Sequence, residues 1–322
     1  MKIVFTTSLP QEGFWRLVER GLLDQAPRTL DIAHLSPEEL HETEILVSTF
    51  DHKVSREMIE AMPKLQLIAN FGVGYNNIDL EACRERGIRV TNTPQPVIEP
   101  TAELAFALMI DVARRVSEFD RALRNGTGEP MAVMNNLSHS LYGKTLGILG
   151  MGRIGQALAR RAAASGMKII YHNRHELTKE RMNELAREGV QAQYVDFQTL
   201  LQDSDYLSLN LPYTPEVHHI IGKPELGMMK RSAYLINTAR GAHVDEAALV
   251  EALKSGIIAG AALDVYEFEP QIDPELLKLP NIVLSPHTGT GTWEGRIAMC
   301  ENVADNIIAF IDGQTNKMNI VL

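Results

Sequence analysis

Three side chains in the last third of the chain, Arg240, Glu269 and His287, are of the types that reduction of a ketone by hydride demands. The nascent alkoxide needs a proton donor, and histidine titrates in the useful range. An acid beside it orients the ring and favours its protonated form, while a guanidinium offers paired donors to a carboxylate and a carbonyl oxygen. Taken singly, each residue has a plainer reading: Arg240 as a solvated group after a strand, Glu269 as a loop residue before Pro270, His287 as part of a capped turn. Their placement argues otherwise. Asn237-Thr238-Ala239-Arg240-Gly241 follows the apolar run Tyr234 to Ile236, Asp264 through Pro270 follows Gly260 to Leu263, and Ser285-Pro286-His287-Thr288-Gly289 follows Ile282 to Leu284. Ligands of open α/β sheets bind beyond the carboxyl ends of the strands, so one arginine, one acid and one histidine converge on one sheet edge.

Gly150-Met151-Gly152-Arg153-Ile154-Gly155 supplies what such a reaction needs beside it. The segment follows the apolar strand Leu146 to Leu149 and opens an alanine-rich helix, Gln156 to Ser165, that ends at Gly166. In that context Gly150 permits a tight turn, Gly152 lets backbone approach a pyrophosphate, and Gly155 lets the helix lie close to the strand. The N–H groups and dipole of the helix terminus favour phosphate, so the segment predicts a nicotinamide dinucleotide. NAD-selective folds carry an acidic residue about twenty positions further on, which binds the adenosine ribose and repels a 2′-phosphate. Here Lys168 to Tyr171 leads into His172-Asn173-Arg174-His175, with the neutral Asn173 at the acidic position and a guanidinium next to it. NADP is therefore expected to be preferred to NAD. The competing reading makes Asn173 a turn former and Arg174 a solvated loop residue.

Alternating elements must position these groups. Lys2 to Thr6, Glu44 to Ser48, Leu65 to Asn70 and Ile88 to Thr91 read as strands, with helical stretches at Phe14 to Gly21, Arg56 to Ala61 and Leu80 to Arg86. That alternation predicts a parallel sheet. The proline-rich stretch from Thr93 to Pro100 is expected to continue neither element and to end a domain. From Thr101 a long helix follows, with Ala105, Leu108, Met109 and Val112 on one face and Gly126 and Gly128 closing it. A doubly wound series then runs from Thr145 to about His287, with strands at 146–149, 168–171, 206–209, 233–237, 260–264 and 282–284. A last helix, Trp293 to Asp312, and the apolar end Asn319 to Leu322 are expected to pack back on the first domain. The fold class is thus α/β, with a Rossmann dinucleotide-binding domain over 101–287 inserted into a substrate domain made of 1–100 and 288–322.

Composition restricts the function classes. A chain of 322 residues exceeds what one core usually organises, and 45% hydrophobic with 22% charged residues is ordinary for a soluble globular protein. The formal net charge of -10 argues against a general nucleic-acid or anionic-membrane surface. Met1 to Pro10 reads as a first strand rather than a signal segment, and no apolar run reaches the roughly 18 residues of a membrane span, so the expectation is a cytoplasmic protein. Cys83 and Cys300 are too few and too far apart for a zinc site, and read as small helix-packing residues; no metal is expected.

Along its whole length the chain resembles the D-isomer-specific 2-hydroxyacid dehydrogenases, which include glyoxylate/hydroxypyruvate reductases, D-lactate and phosphoglycerate dehydrogenases. The resemblance is carried by Phe71-Gly72-Val73-Gly74, the glycine loop, Leu209-Asn210-Leu211-Pro212, Asn237 to Gly241, Ala261 to Glu269, and Pro286-His287 through Arg296. It implies a flavodoxin-like substrate domain built from both chain ends. It also implies that Arg240 binds the substrate carboxylate and keto oxygen, that His287 is the proton donor with Glu269 as partner, and that main-chain N–H groups of Val73 and Gly74 help hold the carboxylate. By the same resemblance Asp264 meets the nicotinamide amide, Arg153 and Ile154 the pyrophosphate, and Pro212 the cofactor, and the protein is a homodimer built around the inserted domains. Thr288 and the pair Thr290-Gly291 depart from the family's pattern and bear on substrate identity. With no regulatory extension after the terminal helix, the expected substrate is a small 2-keto acid of the glyoxylate or hydroxypyruvate class. A sugar-derived acid such as 2-ketogluconate is the alternative. Two other classes compete: a non-enzymatic NAD(P)-sensing binding protein, and a dehydrogenase for formate or phosphite.

Overall fold

The first four strands, β1 (Ile3–Phe5), β2 (Ile45–Thr49), β3 (Leu67–Phe71) and β4 (Arg89–Thr91), pair in parallel in the order β1-β2-β3-β4. They belong to a computed structural model that describes residues 1–23 and 36–322. The described chain divides into two units, Met1–Pro100 with Thr290–Leu322, and Thr101–Gly289, so the return falls two residues later than the sequence suggested. Every residue of β1, β2 and β3 is buried, which is why these strands read as continuous apolar runs rather than alternating ones. Val4, Leu46, Ile68 and Val90 form one core with Ile59, Met62, Cys83 and Ile88. The chain end closes this unit: Ile320 bridges Thr91 in antiparallel sense, and Val321 N–H donates to the Val90 carbonyl. The terminal helix, Trp293–Ile311, starts on Thr292, whose side chain accepts from the Gly295 N–H.

The second unit carries seven further strands: β5 (Thr145–Leu149), β6 (Lys168–His172), β7 (Ala192–Tyr194), β8 (Tyr206–Leu209), β9 (Tyr234–Asn237), β10 (Gly260–Leu263) and β11 (Ile282–Leu284). All pair in parallel, in the order β11-β10-β9-β8-β5-β6-β7. The direction of winding reverses at β5, which lies between β6 and β8, and a ligand crevice is expected where that reversal occurs. Leu207, Leu209, Leu235, Ala261 and Leu263 meet Leu249, Val250 and Leu253 of the helix Glu246–Lys254 in the core. Asp245 caps that helix by accepting from Ala248 N–H, an interaction worth about 1 kcal/mol.

Three local expectations are corrected. The long helix begins at Ile98, not after the prolines, because Pro100 falls in its first turn, where an N–H has no intrahelical acceptor to lose. It stops at Arg114: Arg115 adopts a left-handed conformation (φ 58°) and a second helix, Val116–Arg124, follows, closed by Gly126 alone (φ 68°). The strand β7 had no periodic signal, being three half-buried or exposed residues, Ala-Gln-Tyr, at the sheet edge.

Candidate active site

At the reversal point the glycine loop is fixed by backbone crossings. Gly150 has φ 98°, and a Cβ there would lie 2.7 Å from the carbonyl carbon of Asn210, where the chain leaves β8. Gly155 packs so closely that a Cβ would sit 2.5 Å from the Gly150 carbonyl oxygen. At Gly152 the same atom would meet nothing within 4 Å, so this position is open to a ligand that must touch backbone. Gly152 precedes the helix Arg153–Ala164, three residues earlier than expected, and no side chain caps it. Uncapped first-turn N–H groups beside an open glycine fit a pyrophosphate, so the residues present suit the dinucleotide. Arg153 is exposed and Ile154 half-buried in that turn, and Pro212 is exposed beyond β8.

Asn173 stands just past β6, and its Oδ1 accepts from Met151 N–H at 2.6 Å. The side chain therefore braces the glycine loop. Arg174 is exposed and forms no hydrogen bond or ion pair among the described residues.

Arg240, Glu269 and His287 reach one place from three adjacent strands. Asn237 shapes the turn after β9: its Oδ1 accepts from Ala239 N–H at 3.0 Å and its Nδ2 donates to the Arg240 carbonyl at 2.9 Å. A Cβ at Gly241 would fall inside the backbone of Tyr266, so only glycine lets this turn pass the loop after β10. Burial pushes the Arg240 guanidinium below its ordinary pKa, and the charge of Glu269 pulls the other way. Glu269 is held at both oxygens, Oε1 accepting from Tyr266 N–H at 2.9 Å and Oε2 lying 2.7 Å from His287 Nδ1. Burial raises its carboxyl pKa. The bond to His287, the charges of His287 and Arg240, and the Tyr266 N–H outweigh that and hold it below the usual carboxylate range.

His287 adopts a left-handed conformation, φ 54°, and its N–H donates to the Asp264 carbonyl at 2.8 Å. Asp264, 1% exposed, accepts from Thr288 N–H at 2.7 Å and Gly289 N–H at 2.8 Å. It thus anchors the loop that presents His287. The Thr288 hydroxyl lies 2.6 Å from Ser285 Oγ, so this departure from the family's pattern is absorbed inside the turn.

In the first unit, the loop after β3 has its carbonyls tied down. Asn70 Nδ2 donates to Gly72 and Gly74, Asn92 Nδ2 to Val73, and Thr93 N–H to Gly72. Among the described residues the N–H groups of Val73 and Gly74 have no acceptor, which is the disposition of an anion-binding loop.

The D-isomer specific 2-hydroxyacid dehydrogenase NAD-binding domain matches residues 106–289. The chain belongs to this family. It is 50% identical over 320 residues to a glyoxylate reductase of Thermococcus litoralis, with 97% of this chain and 94% of the relative covered. A glyoxylate reductase from Paecilomyes thermophila superposes with a TM-score of 0.85 at 36% identity, covering 99% of this chain and 97% of that one. An NADPH-dependent glyoxylate/hydroxypyruvate reductase from Sinorhizobium meliloti, in complex with NADP and malonate, gives 0.80 at 32% identity, covering 96% and 93%. As a member of the family the chain is an oxidoreductase that exchanges a hydride between a nicotinamide dinucleotide and a small 2-keto acid.

Sequence reasoning missed the side chains that brace the loops of each unit. Asn70, Asn92 and Asn237 act through amides aimed at backbone, and nothing in their spacing announces that. His243 was also missed. It is 0% exposed, three residues past Arg240, with neither ring nitrogen in hydrogen-bond geometry among the described residues. Burial lowers its pKa to about 4 and the Arg240 charge adds to that; the Pro212 carbonyl pushes the other way but makes no hydrogen bond of acceptable geometry.

Proposed function

We propose that this protein reduces a small 2-keto acid of the glyoxylate or hydroxypyruvate class to the D-2-hydroxy acid, using NADPH in preference to NADH, as a homodimer. The observation that carries the chemistry is the 2.7 Å contact of His287 with Glu269, on a carboxylate held ionised beside Arg240. Arg240 holds the carboxylate and keto oxygen of the substrate. The nicotinamide supplies the hydride when bound. With Nδ1 directed at Glu269, the proton that quenches the alkoxide comes from Nε2 of His287, and Glu269 stabilises the imidazolium until then. In the first unit the N–H groups of Val73 and Gly74 are assigned to the substrate carboxylate. Arg153 and Ile154 are assigned to the pyrophosphate, and Pro212 to the wall of the cofactor site. The nicotinamide amide remains assigned to Asp264, through the lone pair its three loop bonds do not use.

Relatives of that substrate class and an NADPH-dependent one among the matching structures support the reading. Steady-state turnover with glyoxylate, hydroxypyruvate, pyruvate and 2-ketogluconate, each with NADPH and NADH, tests it. The highest specificity constants are expected for glyoxylate or hydroxypyruvate with NADPH. A clear preference for 2-ketogluconate would replace the substrate assignment. No oxidation of either cofactor with any of the four acids would favour a sensor.

A further inference from the structure

The second unit contains another convergence of imidazole and carboxylate, outside the catalytic set. It lies in the connection that follows β8, just after the short 3-10 turn Pro215–Val217. His219 there is left-handed, φ 51°, and its N–H donates to the Ala242 carbonyl at 2.9 Å. Ile221 N–H donates to the His243 carbonyl and Ile221 forms a parallel bridge with Val244, so the connection is stitched to the chain beyond β9. The His219 ring stacks on its neighbour His218, with centroids 3.9 Å apart and planes at 20°. Glu267, from the loop after β10, faces them, its Oε1 lying 2.7 Å from His219 Nε2. One potential ligand atom of each of the three residues lies within 4.8 Å of the others.

We infer that His218, His219 and Glu267 bind a divalent transition-metal ion of the zinc class. Two imidazole nitrogens and one carboxylate oxygen form a borderline donor set of the kind zinc takes, whereas magnesium and calcium require shells of oxygen. Zinc holds nitrogen and oxygen at about 2.0–2.2 Å, so atoms of a tetrahedral set stand about 3.3 Å apart. The His219–Glu267 contact has to open by about half an ångström to reach that spacing, and the stacked His218 ring has to turn so that its in-plane lone pair meets the same ion. His218 is exposed, which gives the ion a path in from solvent and leaves a fourth position for water. The ligands are also held from outside the cluster: Glu267 N–H donates to the buried Glu246 Oε1 at 2.6 Å, and the Tyr213 hydroxyl lies 3.5 Å from His218 Nδ1. If the arrangement served only as an ion pair between His219 and Glu267, His218 would contribute nothing. That difference makes the inference testable.

An ion at this position cross-links the connection after β8 to the loop that carries Glu269 two residues further on, so occupancy stabilises the fold by mass action. The test uses the full chain stripped with chelator and titrated with Zn²⁺ by calorimetry and with Co²⁺ by visible absorption. One ion per chain is expected, with a rise in thermal midpoint on adding Zn²⁺. Removing a ligand should weaken binding by more than the roughly 10- to 100-fold that loss of a supporting residue costs, in each of His218→Ala, His219→Asn and Glu267→Gln. Asparagine tolerates the left-handed backbone at 219, so that variant separates lost ligation from lost folding. The His287→Ala variant, which removes the other imidazole–carboxylate pair, should bind as the parent does. Equal affinity in parent and His218→Ala, or loss of the ion with His287→Ala, would overturn the inference.

Discussion

His287 lies in a region of backbone space that residues other than glycine seldom enter, and it is kept there by N–H bonds to the Asp264 and Ser285 carbonyls. That conformation brings its Nδ1 to Glu269. Replacement His287→Ala should lower turnover by about two to four orders of magnitude while leaving the cofactor dissociation constant nearly unchanged. Stopped-flow turnover and fluorescence titration measure the two separately, and near-parental turnover would remove His287 from the mechanism. Glu269→Gln has a different signature. The 2.7 Å contact sets a carboxylate charge and a hydrogen-bond acceptor against Nδ1 of the His287 ring. A neutral amide withdraws that support, so reductive turnover, which needs the protonated ring, should fall off at a lower pH than in the parent. Superimposable pH profiles would refute the pairing.

Two strand ends carry predictions of their own. After β6, Asn173 is committed to Met151 N–H, and Arg174 is exposed and makes no hydrogen bond or salt bridge among the described residues. A guanidinium so placed can take a 2′-phosphate through charge-assisted bonds worth roughly 1.5 to 3 kcal/mol each. Arg174→Ala should therefore cut the NADPH preference by about tenfold or more through the NADPH Michaelis constant; an unchanged ratio of the two Michaelis constants would show that the side chain does not reach the phosphate. After β9, His243 is buried and its pKa lies at about 4. Because the unfolded chain binds a proton at this residue below about 6.5 and the folded one does not until about 4, stability is intact above the first value and is lost as pH falls toward the second. Between pH 7 and 5 the loss is about 2 kcal/mol. Urea unfolding at both pH values should show that loss diminished in His243→Met, and an equal loss in both proteins would assign the acid sensitivity elsewhere.

At the scale of the molecule, the second unit exposes a run of large apolar side chains after its first long helices. Met131 is 95% and Val133 92% exposed, and Met134, Leu137 and Tyr142 are also largely bare. Apolar groups left in water along one stretch of chain are candidates for burial against a second copy. The homodimer proposed above would cover it. Light scattering on the parent should give twice the 35.8 kDa chain mass, and on the triple variant Met131→Ser, Val133→Ser, Met134→Ser a single chain mass. A dimer of undiminished affinity in that variant would place the interface on another surface. No described helix is long and apolar enough to cross a membrane.

How far the sequence reaches follows from the range of the forces involved. The α/β class, the glycine loop and the order Arg240, Glu269, His287 were legible because each depends on local pattern: buried strands are continuously apolar, a glycine is needed where backbone crosses backbone, and ligands gather at strand ends. The helix start at Ile98 and its break at Arg115 were not, since a proline in a first turn and a left-handed arginine follow from what the surrounding chain holds in place. Only the tertiary structure set the 2.7 Å contact between Nδ1 of His287 and Glu269, residues eighteen apart in sequence. The structure alone also turned Asn70, Asn92, Asn237 and Asp264 into braces, and stacked His218 on His219 opposite Glu267. A hydrogen bond acts over about 3 Å between atoms placed by different strands. Residue type makes such a bond possible, and packing alone decides whether it forms.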